Sequence, residues 1–432
     1  MKKVLSLFLV LIVALCCSAC GTTDVELEGD TEFTQYEAEN VAIELWTFPI
    51  GNWGDRSIVS SIIAEFNKKY PLVEVNVTFL DYDTGDQVIA DAIKNGNLPD
   101  IVFEGPERLI ADYAVNGRLV DISDIWNDTY VQSIYENVRN VCMLENHYYM
   151  MPLCTQAHTM VINKDMFEAC GALELIDMDT RTWTANDFFL ALEMLQNYGI
   201  EKPCIIYCAN QSGDQGTRML VTNLCGGTFT NAEHTTYMVN SIENTEALRK
   251  LQECSAVCFD STLTATDAIN AFCDEETAML FCWNAAVSMT HEIANQRINF
   301  STLPMNFPTK DNLTLPVLDG GVWGFCIFDK QDAARIEACK CFIKEITGDT
   351  STHEKAVIAS GNYPVIDCKD VYTNDSHMAE YSGFVSNIGD FYQITNNWAK
   401  AREAWWNLLQ EVGMGTEPTE ALEHFDAFLS SD

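Results

Sequence analysis

From Val41 to Trp46 the chain reads Val-Ala-Ile-Glu-Leu-Trp, a short apolar run of the length of a buried strand, and a loop with Pro49, Gly51 and Gly54 follows it. Between Ser57 and Tyr70 the residues Ile58, Ile62, Ile63, Phe66 and Tyr70 recur at the spacing of one helix face, and Pro71 ends the run. Val73, Val75, Val77 and Phe79 then alternate with Glu74, Asn76 and Thr78, the period of a strand with one buried face. A second helix through Val88, Ile89, Ala92 and Ile93 stops at Asn95-Gly96, and Pro99 to Phe103 makes a third strand. Strand, helix, strand, helix, strand implies a parallel sheet covered by helices, an α/β fold. In such sheets ligands bind beyond the carboxyl ends of the strands, which points to Trp46-Thr47-Phe48 and Glu104-Gly105.

The pattern before Val41 is different. Lys2 and Lys3, an apolar run from Val4 to Leu15 and the small residues up to Ala19 predict a secretory signal peptide over residues 1–19. Its apolar core is shorter than the roughly 20 residues of a membrane-spanning helix. Ser18-Ala19 before Cys20 resembles the lipobox of bacterial lipoproteins, with Cys17 where that motif usually has Leu. The expectation is lipidation of Cys20 on the outer face of the cytoplasmic membrane; ordinary secretion is the alternative. Residues 20–40, rich in Thr, Glu and Asp, read as a solvated tether. The remainder exceeds what one hydrophobic core covers, so two lobes are expected.

Charge narrows the partners. Without Lys2 and Lys3 the chain keeps 23 basic residues against 63 acidic ones, a formal charge of −40. Nucleic acid and anionic lipid surfaces are excluded as partners by that field, and a neutral or cationic solute fits it. Fourteen of the 17 cysteines lie beyond Cys20. Cys204/Cys208, Cys254/Cys258 and Cys339/Cys341 are close in sequence, but the last two pairs fall in helical-looking segments that suit a bridge poorly. Beyond Cys20 no CxxC pair exists and no His falls near these pairs, so no zinc site is predicted. Free, mostly buried thiols are expected.

The order of motifs carries a resemblance. Val41 to Trp46, a helix ending Glu65-Phe-Asn-Lys-Lys-Tyr-Pro71, Val73-Glu-Val75 and Gly96-Asn-Leu-Pro-Asp-Ile-Val102 resemble the N-terminal lobe of the family 1 extracellular solute-binding proteins. Tyr148 to Pro152 with Met160 to Phe167, Thr182-Trp183, Gly226-Gly227, Phe272 to Trp283, Gly320 to Gly324 and Gly361-Asn-Tyr-Pro364 continue the match, although Glu276-Thr277 and Cys273 depart from the family's Gly-Lys-Ala-Ala-Met stretch. The resemblance spans about residues 41 to 425. It implies a two-lobe, type II periplasmic-binding-protein-like fold with a hinge and an interlobe ligand cleft. It places lobe one at 41–152 plus 318–360 and lobe two at 153–317 plus 361–432. It further implies a monomer that captures a carbohydrate, an oligosaccharide in first place, for the permease subunits of an ABC importer, with no cofactor and no metal.

A sugar site needs flat aromatic platforms and directed amide or carboxylate partners. Trp46 and Phe48 follow the first strand, as platforms or as packing beneath the loop; Trp53, between Asn52 and Gly54, is a rim platform or a loop anchor. Glu104 directly follows a strand end. Trp283-Asn284 ends a strand where family members contact ligand, and Trp323 lies beside Gly320-Gly321, glycines that let backbone approach a ligand. Asn210, Gln211 and Asp214 follow the Cys204 to Ala209 strand, and Tyr363 precedes Pro364. Trp126, Trp183, Trp405 and Trp406 read as core, and His158 as a packed histidine.

Two other classes are set beside this one. The same architecture suits a peptide or polyamine, and a secreted glycosidase also needs aromatics and two carboxylates about 5 to 10 Å apart. No Gly-x-Ser-x-Gly, Walker loop or Gly-x-Gly-x-x-Gly occurs, and His291-Glu-Ile-Ala-Asn295 has Asn where a zinc protease needs its second His. A binding protein, not an enzyme, is expected.

Overall fold

The computed structural model describes residues 40–431 except 83, 127–128, 211, 349–350 and 367–370. The expected signal peptide, Cys20 and nearly all of the tether lie outside the described residues.

The first strand β1 (Val41–Thr47) is followed by helix α1 (Arg56–Lys69), β2 (Val73–Phe79), helix α2 (Gly85–Asn95) and β3 (Ile101–Glu104). Asp55 caps α1 by accepting from Ser57 and Ile58, and Gly96, at φ 71°, ends α2 in the left-handed region. The elements match the expected ones within a residue or two. Both β2 and β3 pair with β1 in parallel, and Ile43 and Leu45 are fully buried.

A small hairpin, β4 (Met143–Leu144) with β5 (His147–Tyr148), precedes β6 (Met151–Ala157) and β7 (Thr159–Asn163). Helix α3 (Ala185–Tyr198), β8 (Cys204–Tyr207), helix α4 (Asp214–Cys225), β9 (Val257–Asp260), helix α5 (Ala265–Cys273), β10 (Met279–Trp283) and β11 (Thr302–Met305) follow. The chain returns through β12 (Leu318–Ile327), helix α6 (Ala333–Thr347), β13 (Tyr363–Pro364), helix α7 (Ser376–Ser382) and β14 (Ile388–Asp390), and ends in helices α8 (Trp398–Gly413) and α9 (Pro418–Ser430).

The large sheet has the order β13-β6-β12-β3-β1-β2, with β14 on β12. Only its first three strands form the parallel unit that the strand and helix alternation implied; β12 runs antiparallel to β3 and β6, and β13 antiparallel to β6. A second sheet, β10-β7-β11, is antiparallel, and β8 pairs with β9 in parallel. Residues 153–157 and 363–364, which the sequence reading gave to lobe two, are strands of the large sheet. The turn from β6 to β7 at Ala157-His158 is therefore where the chain passes from one sheet to the other.

All thirteen described cysteines are free, and ten are buried, so they act as small apolar residues. Burial pushes several of these thiols up, Cys282 and Cys326 to about 12 among them. One sequence reading is corrected: Cys258 lies on β9, because Val257 to Asp260 extends beside β8, and it is not helical.

Candidate functional site

The carboxyl end of β3 builds one charged cluster. Glu104 is the last strand residue, Gly105 turns the chain, and Pro106 opens a helical turn that sets Arg108 one turn beyond Glu104. Arg108 NH1 donates to Glu104 Oε1 at 2.9 Å, while its Nε and NH2 hold both oxygens of Asp86 at 2.6 and 3.0 Å. The guanidinium lies 4.9 Å from the Phe48 ring, and Phe48 stacks on Tyr82 at 5.3 Å. Glu104 is buried and its Oε2 has no partner among the described residues. Burial, with the nearby Glu107 charge adding to it and Arg108 opposing it, pushes its carboxyl up to about 8. At neutral pH it is mostly a neutral acid, able to donate as well as accept.

An opening of about 370 Å³ lies against this cluster, lined by Asp86, Ile89, Glu107, Arg108, Tyr113 and, from the first residue of α8, Trp398. Trp398 is half-buried. The opening thus joins a flat indole, carboxylates and a guanidinium, the partners that the CH face and hydroxyl rim of a sugar require.

A second network lies behind Trp398. The Arg402 guanidinium is 5.8 Å from the Trp398 ring and donates to Asp214 Oδ1 at 2.8 and 3.1 Å. Asp214 also holds Arg218, one helical turn on, and Arg218 donates to Asp319 at 2.8 Å and Asp390 at 3.1 Å. The Arg218 guanidinium rests 3.7 Å over Tyr392 and 5.0 Å from Phe229. Three carboxylates here face two guanidiniums. Burial pushes Asp319 up to about 8, against the pull of Arg218, so the cluster sheds its surplus negative charge by protonation. His158, held neutral by burial and by Arg218, drops to about 4.

The structure separates the sequence-predicted residues into groups. Phe48 and Glu104 meet around Arg108, and Asp214 belongs to the Arg218 network. Trp46 is partly buried between β2 and β3. Trp323 is also partly exposed and lies on Gly321: a Cβ there would sit 2.2 Å from the indole. Gln156, paired with Gly321, has a buried Nε2 without a partner on the same strand face.

Others are built into the core. Trp53 has no exposure and packs on Phe103 at 4.6 Å and Phe325 at 5.6 Å, which makes it a loop anchor. Trp283 is equally buried and donates from Nε1 to Tyr381 Oη at 2.8 Å. Asn284 caps the next helical turn, accepting from Val287 at 2.9 Å. Tyr363 is buried and donates to the Met378 carbonyl at 2.9 Å, so α7 ties the end of β10 to β13. Asn210 is exposed and accepts from Ser212 in its own turn. Gln211 lies outside the described residues.

Sequence reasoning missed Arg108, Tyr82, Trp398, Arg218 and Arg402. An Arg four residues after a strand-end Glu, and an Arg four residues after Asp214, are i,i+4 signals that were available. Nothing local marks Trp398, which reaches the opening only through tertiary packing.

The fold is that of the two-lobe α/β solute-binding proteins. Residues 61–381 match the model of the bacterial extracellular solute-binding proteins, and the chain belongs to that family. An uncharacterised ABC-transporter extracellular-binding protein of Pyrococcus horikoshii is 26% identical over 206 residues, 46% of this chain and 44% of the relative. The match thus spans less than half of that relative. Among solved structures, the cyclic α-maltosyl-1,6-maltose binding protein of Arthrobacter globiformis is similar at a TM-score of 0.74, with 14% identity over 90% of this chain and 98% of that one. An ABC substrate-binding protein of Listeria monocytogenes in complex with cycloalternan gives 0.61, with 17% identity over 90% and 98%. A family 1 extracellular solute-binding protein of Alicyclobacillus acidocaldarius gives 0.66, with 14% identity over 91% and 100%. At these identities the structures speak for the fold alone. Among the described residues no helix is long and apolar enough to cross a membrane, and no group of His, Cys, Asp or Glu is placed to hold a metal ion.

Proposed function

We propose that this protein captures a carbohydrate between its lobes and hands it to the permease of an ABC importer. The observation that carries the reading is the opening in which Trp398 faces Arg108, Glu107 and Asp86, with Tyr82 and the neutral acid Glu104 beside it. Trp46 and Trp323, two further half-exposed indoles, and the unpartnered Gln156 amide are the further contacts in this reading. Family membership and the sugar ligands named for the Arthrobacter and Listeria neighbours support the class of solute. Lobe one is taken as about 41–157 with 318–364, following the large sheet, and lobe two as the rest of the described chain. The chain acts as a monomer, lipid-anchored at Cys20, and performs no chemistry on its ligand.

The test is a thermal-shift and calorimetric screen over mono- and oligosaccharides, since a ligand that binds only the folded state raises its apparent stability. A saturable response to a sugar is expected. Silence toward every sugar beside a clear response to a polyamine or peptide overturns the solute class, and turnover of a glycoside overturns the binding-only role. For the anchor, Cys20→Ala is expected to move the protein from the membrane fraction to the medium; an unchanged distribution refutes it.

A further inference from the structure

A second cavity, of about 450 Å³, is lined on one side by the end of α4 and the loop after it, and on another by the approach to β12 and by β14. Asn140, from the helical turn before β4, reaches the same cavity. It shares no lining residue with the opening at Trp398. Most of its lining residues are Asn, Thr or Gly, while apolar atoms supply the larger part of its wall surface, Met219, Leu315 and Val317 among them. Asn223 secures one wall, donating to the Val317 carbonyl and accepting from the Val317 amide, both at 2.8 Å.

One observation marks this cavity as a built site. Asp390, 7% exposed, gives one oxygen to Arg218, and its Oδ1 accepts no hydrogen bond among the described residues. Behind the cavity wall, Asn244 fixes the packing of the wall: it is 1% exposed, and a Cβ on Gly227 would meet its Oδ1 at 2.1 Å. The only other ionisable group in the lining, His234, is held toward its neutral form by burial. A neutral molecule that donates several hydrogen bonds and has an apolar face between them suits such walls.

We propose that this cavity is a second ligand site, taking a small neutral polyol of about monosaccharide size, whatever solute the opening at Trp398 holds. The two are joined by a continuous path of contacts, Asp390 to Arg218 to Asp214 to Arg402 to Trp398. A polyol donating to Asp390 Oδ1 shares the carboxylate with Arg218, which keeps the other oxygen.

Met219 lines the cavity and is 1% exposed, which makes its methyl group a local reporter. With methyl-labelled methionine in the whole chain, titration with D-glucose and, separately, glycerol is expected to shift the Met219 signal saturably. The shift is expected to persist in Trp398→Ala and to vanish in Ala232→Trp, which fills the cavity from an exposed lining position. No saturable shift with either polyol overturns the proposal. A shift that survives Ala232→Trp places the binding elsewhere and also overturns it, as does a response to spermidine with none to the polyols. Loss of sugar binding at Trp398 alone leaves the Met219 response in place, so the two readings fail separately.

Discussion

Arg108 and Arg218 are built from the same parts and do different work. Each guanidinium has three carboxylates around it, Asp86, Glu104 and Glu107 for the first and Asp214, Asp319 and Asp390 for the second, and each lies over aromatic rings. The side chain of Arg108 is 23% exposed and lines an opening; that of Arg218 is 0% exposed and sealed by Tyr392 and Phe229. Water, or a ligand replacing water, can therefore compete for the partners of Arg108. At Arg218 every lost bond leaves a buried charge, so its network joins α4, β12 and β14 as a structural pin.

The comparison is broken most directly at Arg218. Arg218→Met strands up to three buried carboxylates and is expected to cost about 3–5 kcal/mol of stability or more, read as a large fall in Tm by calorimetry. A Tm within a degree or so of the parent would show that the network pins nothing. Trp283→Ala is expected to cost about 3–5 kcal/mol as well, through the cavity left by a fully buried indole and the orphaned Tyr381 hydroxyl, with sugar affinity lost only in proportion to unfolding. Intact stability with lost binding would return Trp283 to the ligand site.

At the open cluster the effects move from stability to binding. Trp398→Ala is expected to weaken sugar binding by about 1–3 kcal/mol, measured by titration calorimetry, with little change in Tm. Unchanged affinity would take Trp398 out of the site. The smallest effect is the pH response of Glu104. Its folded pKa, about 8, lies above the ordinary 4.5, so the stability it contributes is whole below pH 4.5 and is lost as pH rises toward 8. Glu104→Gln should make the fall of Tm across that window shallower, while Asp319, shifted the same way, keeps part of the slope. An equally steep fall in the variant would mean that Glu104 is not held neutral.

The first three strands and two helices were legible because apolar spacing, Pro71 and Gly96 mark both their period and their ends. The antiparallel strands of the large sheet were not, since β6 pairs with β12 and β13 across more than a hundred residues, by register rather than by local pattern. Among candidate site residues, the rule that ligands gather beyond carboxyl ends of strands found Phe48 and Glu104, which do meet around Arg108. It failed to separate Trp53 and Trp283 from the half-exposed Trp46 and Trp323. Trp46 and Trp283 lie at strand ends, Trp53 in the loop after β1 and Trp323 within β12, and only the packing of Phe103, Phe325 and Tyr381 decides which indoles are covered.

By itself the amino-acid order determined the α/β class, the family resemblance and the acidic field, because each follows from local period, composition or motif order. Tertiary structure alone decided which of nine tryptophans face solvent and how two arginines sort six carboxylates into an accessible site and a sealed pin. Exposure and charge pairing depend on what distant segments bring within a few ångströms, and no single segment carries that information.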